Sequence, residues 1–214
     1  MTKPLIRPAQ PQDAQFIAWA TQAANRSHVE KGWFDIALDR PESDCLEFIR
    51  RLALTEVRSW WHYSLFLIAE VEGHAAAALC RFRAGDAFPL SVPAMTEVVR
   101  SYGWGDAELE AIWRRGMFAF TCIMPGGDDR WTIENVATRP EYRGQGLVDI
   151  LIDRALEDGR LRGLRQAQIS FLIGNVPAER AYARAGFRFA DEKRHPDFEA
   201  ACGSPGMRRF TRDL

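Results

Sequence analysis

The feature that most constrains this chain is a glycine-flanked turn, Arg143-Gly144-Gln145-Gly146, between a predicted strand at 131–138 and a predicted helix at 146–162. The N-terminus of a helix exposes unpaired N–H groups and carries a partial positive charge. Glycine has no Cβ, so the backbone can approach a ligand closely there. The turn therefore predicts a site for a phosphate or pyrophosphate, and a turn with a structural role alone is the alternative.

Two common phosphate-binding motifs do not fit this turn. A Walker loop requires a Lys followed by Ser or Thr after its last glycine, and neither follows Gly146. The dinucleotide fingerprint GxGxxG matches at Gly144 and Gly146, but Asp149 occupies the third glycine position. The sequence thus excludes both ordinary nucleotide-binding classes.

The spacing of apolar residues predicts alternating strands and helices, which favours a mixed α/β sheet. The predicted strands are 5–7, 64–70, 74–82, 131–138, 166–173, 187–190 and 207–211. The predicted helices are 13–24, 42–54, 95–101, 106–115, 146–162 and 177–185. The predicted helix at 146–162 has a stripe at helical spacing that consists of Leu147, Ile150, Leu151, Arg154 and Ala155. Residues 25–41 are predicted to form a loop with an exposed Trp33-Phe34 pair.

The length of 214 residues predicts one domain, 1–214. Residues 83–130 have the least regular pattern and end in the turn-forming cluster Pro125-Gly126-Gly127-Asp128-Asp129. This stretch is too short for a core of its own, so it is predicted to be an insertion within the domain.

Composition excludes several classes of function. The net charge of −1 offers no basic field for nucleic acid. The four cysteines form no CxxC pair, which predicts free thiols in a reducing cytoplasm and no metal site. The most apolar stretch, 64–80, is interrupted by Glu70, Glu72 and His74, so no membrane partner is expected.

The segment from Arg143 to Val148 resembles the acyl-CoA motif of the GNAT superfamily of N-acyltransferases, Gln/Arg-x-x-Gly-x-Gly/Ala. It matches at Arg143 and Gly146, and Val148 stands where the family has glycine or alanine. Further matches lie at 134–142, at Asn175-Val176-Pro177-Ala178 and at 182–187. The resemblance covers 131–189, and more loosely the first strand, the first helices and the hairpin near Gly73.

The resemblance implies a GNAT-like α/β fold with a mixed, mostly antiparallel central sheet flanked by helices. Its sheet would be splayed between strands 4 and 5, with a helical insertion before strand 4. The co-substrate would be acetyl-CoA, with its pantetheine arm lying in the gap. The residues implied to contact acetyl-CoA are Val136, Ala137, Thr138, Arg143, Gly144, Gln145, Gly146, Leu147, Val148 and Asn175.

Two residues are candidates for catalysis. A lysine-like ammonium has a pKa of about 10.4, so its deprotonation at pH 7 costs about 4–5 kcal/mol and calls for a base. Glu134 is the candidate base, on a strand face predicted to include Thr132, Val136 and Thr138. Tyr182 is the acid that the resemblance implies for the leaving thiolate, and the Ala137 N–H is a candidate oxyanion donor. The alternatives are a solvated or ion-paired Glu134 and a packing role for Tyr182.

The expected activity is transfer of an acetyl group from acetyl-CoA to a primary amine of a small molecule or peptide by direct attack. A longer acyl group is one alternative, and a catalytically silent acyl-CoA sensor is another. The 83–130 insertion and the loop around Trp33 are expected to select the acceptor, while Trp60-Trp61 is expected to pack. His28 and His195 are weaker acceptor-site candidates. Dimers are frequent among similar proteins, so a homodimer is left open.

Overall fold

The computed structural model describes residues 3–124, 126–127 and 129–214. The strands are Leu5–Pro8 (β1), Phe66–Val71 (β2), His74–Arg83 (β3), Arg130–Thr138 (β4), Gln166–Leu172 (β5), Arg188–Arg194 (β6) and Gly206–Asp213 (β7). The α-helices are Ala14–Arg26 (α1), Trp33–Leu38 (α2), Glu42–Leu52 (α3), Ala84–Ala87 (α4), Ser91–Ser101 (α5), Asp106–Gly116 (α6), Ala119–Cys122 (α7), Leu147–Leu161 (α8), Val176–Arg184 (α9) and Pro196–Cys202 (α10). Short 3-10 helices occupy Pro11–Asp13, Tyr63–Leu65, Phe88–Leu90 and Pro140–Tyr142.

The seven strands form one sheet in the order β1-β2-β3-β4-β5-β7-β6. All neighbouring pairs are antiparallel except β4 and β5, which are parallel. The β4–β5 pairing runs only from Arg130↔Gln166 to Ile133↔Ile169. Beyond these residues the two strands separate, which confirms the predicted splayed, mostly antiparallel GNAT-like sheet.

A β-bulge at Asn135 changes which side chains share a face of β4. Asn135 has a left-handed φ of 53°, and two β4 residues lie between the pairs Glu134↔Cys80 and Ala137↔Ala78, opposite a single β3 residue. An extra residue reverses the alternation beyond the bulge. Val136 therefore packs with α8, while Ala137 packs on the opposite face. The prediction that Glu134 shares its face with Val136 and Thr138 is wrong for this reason.

Apolar side chains form three clusters. One lies between the sheet and α8 and includes Leu79, Ile133 and Leu151. A second covers the other face of the sheet under α1, around Ile17 and Ile68. The third joins α2 and α3 to α5 and α6 of the insertion, through Phe34, Phe48, Met95, Val98 and Ile112. The insertion thus shares its core with α2 and α3, and the single-domain assignment stays a prediction.

Two local predictions are wrong. Residues 25–41 are not all loop, because α2 lies within them and Phe34 is only 1% exposed. The carboxylate of Asp35 accepts a hydrogen bond from the Gly32 N–H at 2.9 Å, which stabilises the start of α2. In α8 the predicted stripe is buried at Leu147, Leu151 and Ala155, but it is wrong at Ile150, which is 40% exposed, and at Arg154, whose side chain is 51% exposed. The rest of the buried face is formed by Ile152, Leu156 and Gly159. Of the predicted turn cluster at 125–129, Pro125 and Asp128 lie outside the described residues.

Candidate active site

A cavity of about 1180 Å³ passes through the opening between β4 and β5. Its walls include Phe171 and Leu147 from the α8 side of the sheet, and Phe34 and Trp61 from the helical layer beyond the other face. All of the predicted site residues line it: Glu134, Val136, Ala137, Thr138, Arg143, Gly144, Gln145, Gly146, Leu147, Val148, Asn175 and Tyr182. The fold therefore assembles the predicted residues around a single space.

The turn before α8 has the geometry of an anion site. Gly144 and Gly146 adopt left-handed φ values of 76° and 72°. The first backbone hydrogen bond at the start of α8 is from the Ile150 N–H to the Gly146 carbonyl, at 3.3 Å. The N–H groups from Gly144 to Val148 have no acceptor among the described residues. A Cβ at Gly144 would meet nothing within 4 Å, so the backbone is open to a ligand.

The edge of β4 that faces the opening is also unpaired. Ala137 and Thr138 pair with β3 on one side, while β5 has already separated on the other. The hydroxyl oxygens of Thr138 and Ser170 are buried without a hydrogen-bond partner among the described residues, and both residues line the cavity. Unpaired buried polar groups of this kind are rare unless a ligand or water completes them. An extended ligand that carries amide groups has the backbone spacing to pair with such an edge.

Asn175 joins two elements of the cavity wall. Its Oδ1 accepts a hydrogen bond from the Ala178 N–H at 3.1 Å, which caps α9. Its Nδ2 donates to the Ser27 hydroxyl at 2.6 Å, which ties α9 to the end of α1. Both ends of the amide are thus engaged within the protein. The predicted contact between Asn175 and acetyl-CoA stays a prediction.

Glu134 is a half-buried carboxyl group on the cavity wall. It forms neither a hydrogen bond nor an ion pair with any described residue, so the alternative of an arginine partner is not found there. Burial away from water raises the pKa of Glu134 to about 8. A carboxyl group with a pKa near neutrality is suited to accept and release a proton at physiological pH.

Tyr182 lies on α9 and is 6% exposed. Its ring contacts that of Phe171, with centroids 5.4 Å apart and an edge-on geometry. Burial raises the pKa of the Tyr182 phenol, and the charge of Glu134 raises it further. The phenol therefore keeps its proton at neutral pH, as a proton donor must.

The sequence predictions did not include a set of aromatic residues that line the other part of the cavity. We call this part the aromatic chamber; its aromatic residues are Trp33, Phe34, Trp60, Trp61, Phe88, Trp113, Phe118, Phe120 and Phe198. Trp33-Phe34 and Trp60-Trp61 were expected to pack, and they do, but they also face the cavity. The concentration of tryptophan between positions 33 and 113 was the available signal.

The two candidate histidines lie in different parts of the structure. His28 lines the cavity where α1 ends, and a Cβ on Gly174 would lie 2.8 Å from its Nε2. His195 is not among the described residues of the cavity wall; its Nδ1 accepts a hydrogen bond from the Asp197 N–H at 3.2 Å and caps α10. Within the described ranges, no three His, Cys, Asp or Glu side chains are grouped to hold a metal ion. No helix in the same ranges is long and apolar enough to cross a bilayer.

Comparisons with known proteins agree with this geometry. The sequence model of the acetyltransferase (GNAT) family matches residues 33–187. The streptothricin acetyltransferase of Streptomyces lavendulae is 36% identical over 62 residues, which are 29% of this chain and 33% of that protein. A crystal structure of an acetyltransferase has a TM-score of 0.71 at 16% identity, covering 98% of this chain and 99% of the other. An N-acetyltransferase from Staphylococcus aureus Mu50 has a TM-score of 0.70 at 17% identity, covering 97% and 100%. At such identities, the two structures show the fold alone.

Proposed function

Because the chain belongs to the GNAT acetyltransferase family, we propose that it moves an acetyl group from acetyl-CoA to a primary amine of a small molecule or peptide. One observation carries the proposal: Glu134 and Tyr182 line the same cavity as the unpaired N–H groups at 144–148. A base, an acid and an anion site thus share one cavity. Transfer of an acetyl group from acetyl-CoA to an amine uses the anion site to bind the donor, the base to deprotonate the amine and the acid to protonate the leaving thiolate.

The donor occupies the turn and the gap. The N–H groups of Gly144, Gln145, Gly146, Leu147 and Val148 bind the pyrophosphate, and the nearby side chain of Arg143 adds positive charge. The unpaired edge of β4 at Val136–Thr138 pairs with the amides of the pantetheine arm. This arrangement brings the thioester to the point where β4 and β5 separate. The Ala137 N–H, the candidate oxyanion donor, instead points to β3: the Arg139 N–H donates to the Ala76 carbonyl, and Ala137 pairs with Ala78 two residues away in the same register.

Glu134 acts on the amine. An incoming ammonium stabilises the carboxylate form of Glu134, which offsets the burial that raises its pKa. The carboxylate takes a proton from the ammonium, and the freed lone pair attacks the thioester carbonyl carbon. The C–N bond forms, the positively charged nitrogen of the tetrahedral intermediate releases its second proton to solvent, and the intermediate collapses as the C–S bond breaks. The thiolate takes the phenolic proton of Tyr182, and solvent restores the original protonation states.

We further propose a cytoplasmic location, since acetyl-CoA is an intracellular co-substrate and Cys45, Cys80 and Cys122 are buried free thiols. The enzymatic proposal is tested by incubating the protein with acetyl-CoA and a panel of primary amines while free thiol is measured. We expect amine-dependent thiol release. Protection by CoA against thermal unfolding with no turnover of any amine would instead identify a silent acyl-CoA sensor.

A further inference from the structure

The aromatic chamber indicates the class of acceptor. Resting on the proposed function, we propose that the acceptor is a primary amine whose only charge is the reacting ammonium and whose remaining body is aromatic. The chamber would hold the aromatic body, and Glu134 would receive the amine. Three features of the described residues support this choice over a polyamine or a charged peptide.

The first feature is the continuity of the aromatic wall. Trp60 contacts Phe88 at 5.5 Å and Trp61 at 4.8 Å between ring centroids. Trp61 contacts Phe34 at 5.9 Å, and Phe34 contacts Trp33 at 5.0 Å. The rings continue from Trp33 to Trp113 at 6.0 Å and from Trp113 to Phe120 at 6.3 Å. These separations allow stacked and edge-on contacts, which a further aromatic ring can extend.

The second feature is the way that two of the tryptophans, Trp33 and Trp60, are held. The Trp33 indole N–H donates to the Gly116 carbonyl at 3.0 Å, and the Trp60 indole N–H donates to the Ser91 hydroxyl at 3.1 Å. Both polar edges are thus used by the protein. The parts of these rings that remain for a ligand are apolar. The same hydrogen bonds fix the positions of both rings, so these side chains lose little conformational entropy when a ligand binds.

The third feature is charge. Among the described cavity residues, Glu134 and Asp149 are the only carboxylates, and Asp149 lies at the acetyl-CoA turn, 3.7 Å from Arg184. A second ammonium in the chamber would find no carboxylate partner there, and burying an unpaired charge is costly. Three exposed residues of the cavity wall are also apolar: Val92 is 53% exposed, Phe120 49% and Ile123 36%. The chamber therefore favours a monocation.

The test compares two pairs of amines at saturating acetyl-CoA, with thiol release as the readout. We expect phenethylamine to exceed ethylamine in kcat/KM by at least about tenfold, because the added ring is buried. We expect the diamine putrescine to fall at least about tenfold below butylamine, which has the same carbon chain and one charge fewer. Equal or faster turnover of the diamine overturns this inference and leaves the proposed function standing. Turnover of no amine overturns both.

Two tryptophans in similar environments test whether the wall of the aromatic chamber binds the amine. Trp113 and Trp104 are both half-buried and both pack against the helical cluster, but only Trp113 lines the cavity. We expect Trp113→Ala to weaken the apparent affinity for phenethylamine, measured as a rise in its KM, by about tenfold and to leave the KM for acetyl-CoA unchanged. Trp104→Ala should change neither constant. An equal effect of the two variants on the amine KM would contradict a role for the chamber wall.

Discussion

Glu134 and Tyr182 form an electrostatically coupled pair across the opening in the sheet. Glu134 is on β4 and Tyr182 on α9, and a negative charge on Glu134 adds to burial in raising the pKa of the Tyr182 phenol. When Glu134 is ionised, the Tyr182 phenol therefore holds its proton more tightly. A protonated Tyr182 beside an ionised Glu134 is the combination of protonation states that acyl transfer to an amine requires.

Glu134→Gln is expected to lower turnover by about 100-fold, since Gln cannot accept a proton. In the unaltered protein, kcat/KM should rise with pH, reach half its maximum near pH 8 and level off at higher pH, because the pKa of Glu134 is about 8. Rates measured from pH 6 to pH 9 check both outcomes. Glu157→Gln is the control, since the Glu157 side chain is 61% exposed on α8. A pH profile that keeps its shape in Glu134→Gln would remove Glu134 from the mechanism.

The same substitution is expected to stabilise the fold at alkaline pH. Burial raises the pKa of Glu134 from 4.5 to about 8. Between these values the native state holds a proton that the unfolded chain releases, so the stability contributed by this group falls as pH rises. Gln does not titrate, so the Tm advantage of Glu134→Gln should be larger at pH 8 than at pH 5. Thermal unfolding at the two pH values measures it, with a shift of about 2–4 °C for each kcal/mol. A pH-independent difference would contradict the raised pKa.

Tyr182→Phe is expected to lower kcat by about 100-fold while the affinity for CoA stays the same. The ring and its contact with Phe171 at 5.4 Å are retained, so folding should be unaffected. Steady-state rates and calorimetric CoA titrations separate the two effects. Tyr63→Phe is the matched control, because Tyr63 is not among the described cavity residues. Full activity of Tyr182→Phe at every pH would leave the thiolate with another proton donor.

Gly144→Ala is expected to weaken CoA binding by about tenfold, because the new methyl group occupies the space through which a phosphate approaches the backbone. Gly163→Ala is a close control. Gly144 and Gly163 have φ values of 76° and 75°, and a Cβ on either would meet nothing within 4 Å, but Gly163 is not among the described cavity residues. Both variants should lose about 1 kcal/mol of stability from the left-handed backbone. Calorimetry should show weaker CoA binding for Gly144→Ala alone; equal affinities would mean that the turn does not bind CoA.

Local sequence signals determined the phosphate-type turn and most of the regular elements. The two glycines at 144 and 146 require a conformation that other residues disfavour, and they precede a strong helical period, so this site can be recognised without the fold. The resemblance to the GNAT superfamily pointed to Glu134 and Tyr182, and the fold brings both residues to one cavity.

Tertiary structure decided the rest. The bulge at Asn135 moves the Val136 side chain to the opposite face of the sheet from Glu134. The bulge arises where β4 pairs with β3, so the alternation of residues along β4 alone does not predict it. The aromatic chamber combines positions as distant as Trp33 and Trp113, which meet only because α2 packs against α6. Periodicity reports which side of an element is apolar, but it does not report which distant element covers that side. The local sequence therefore determined the phosphate-type turn, while the shape of the aromatic chamber depended on long-range packing.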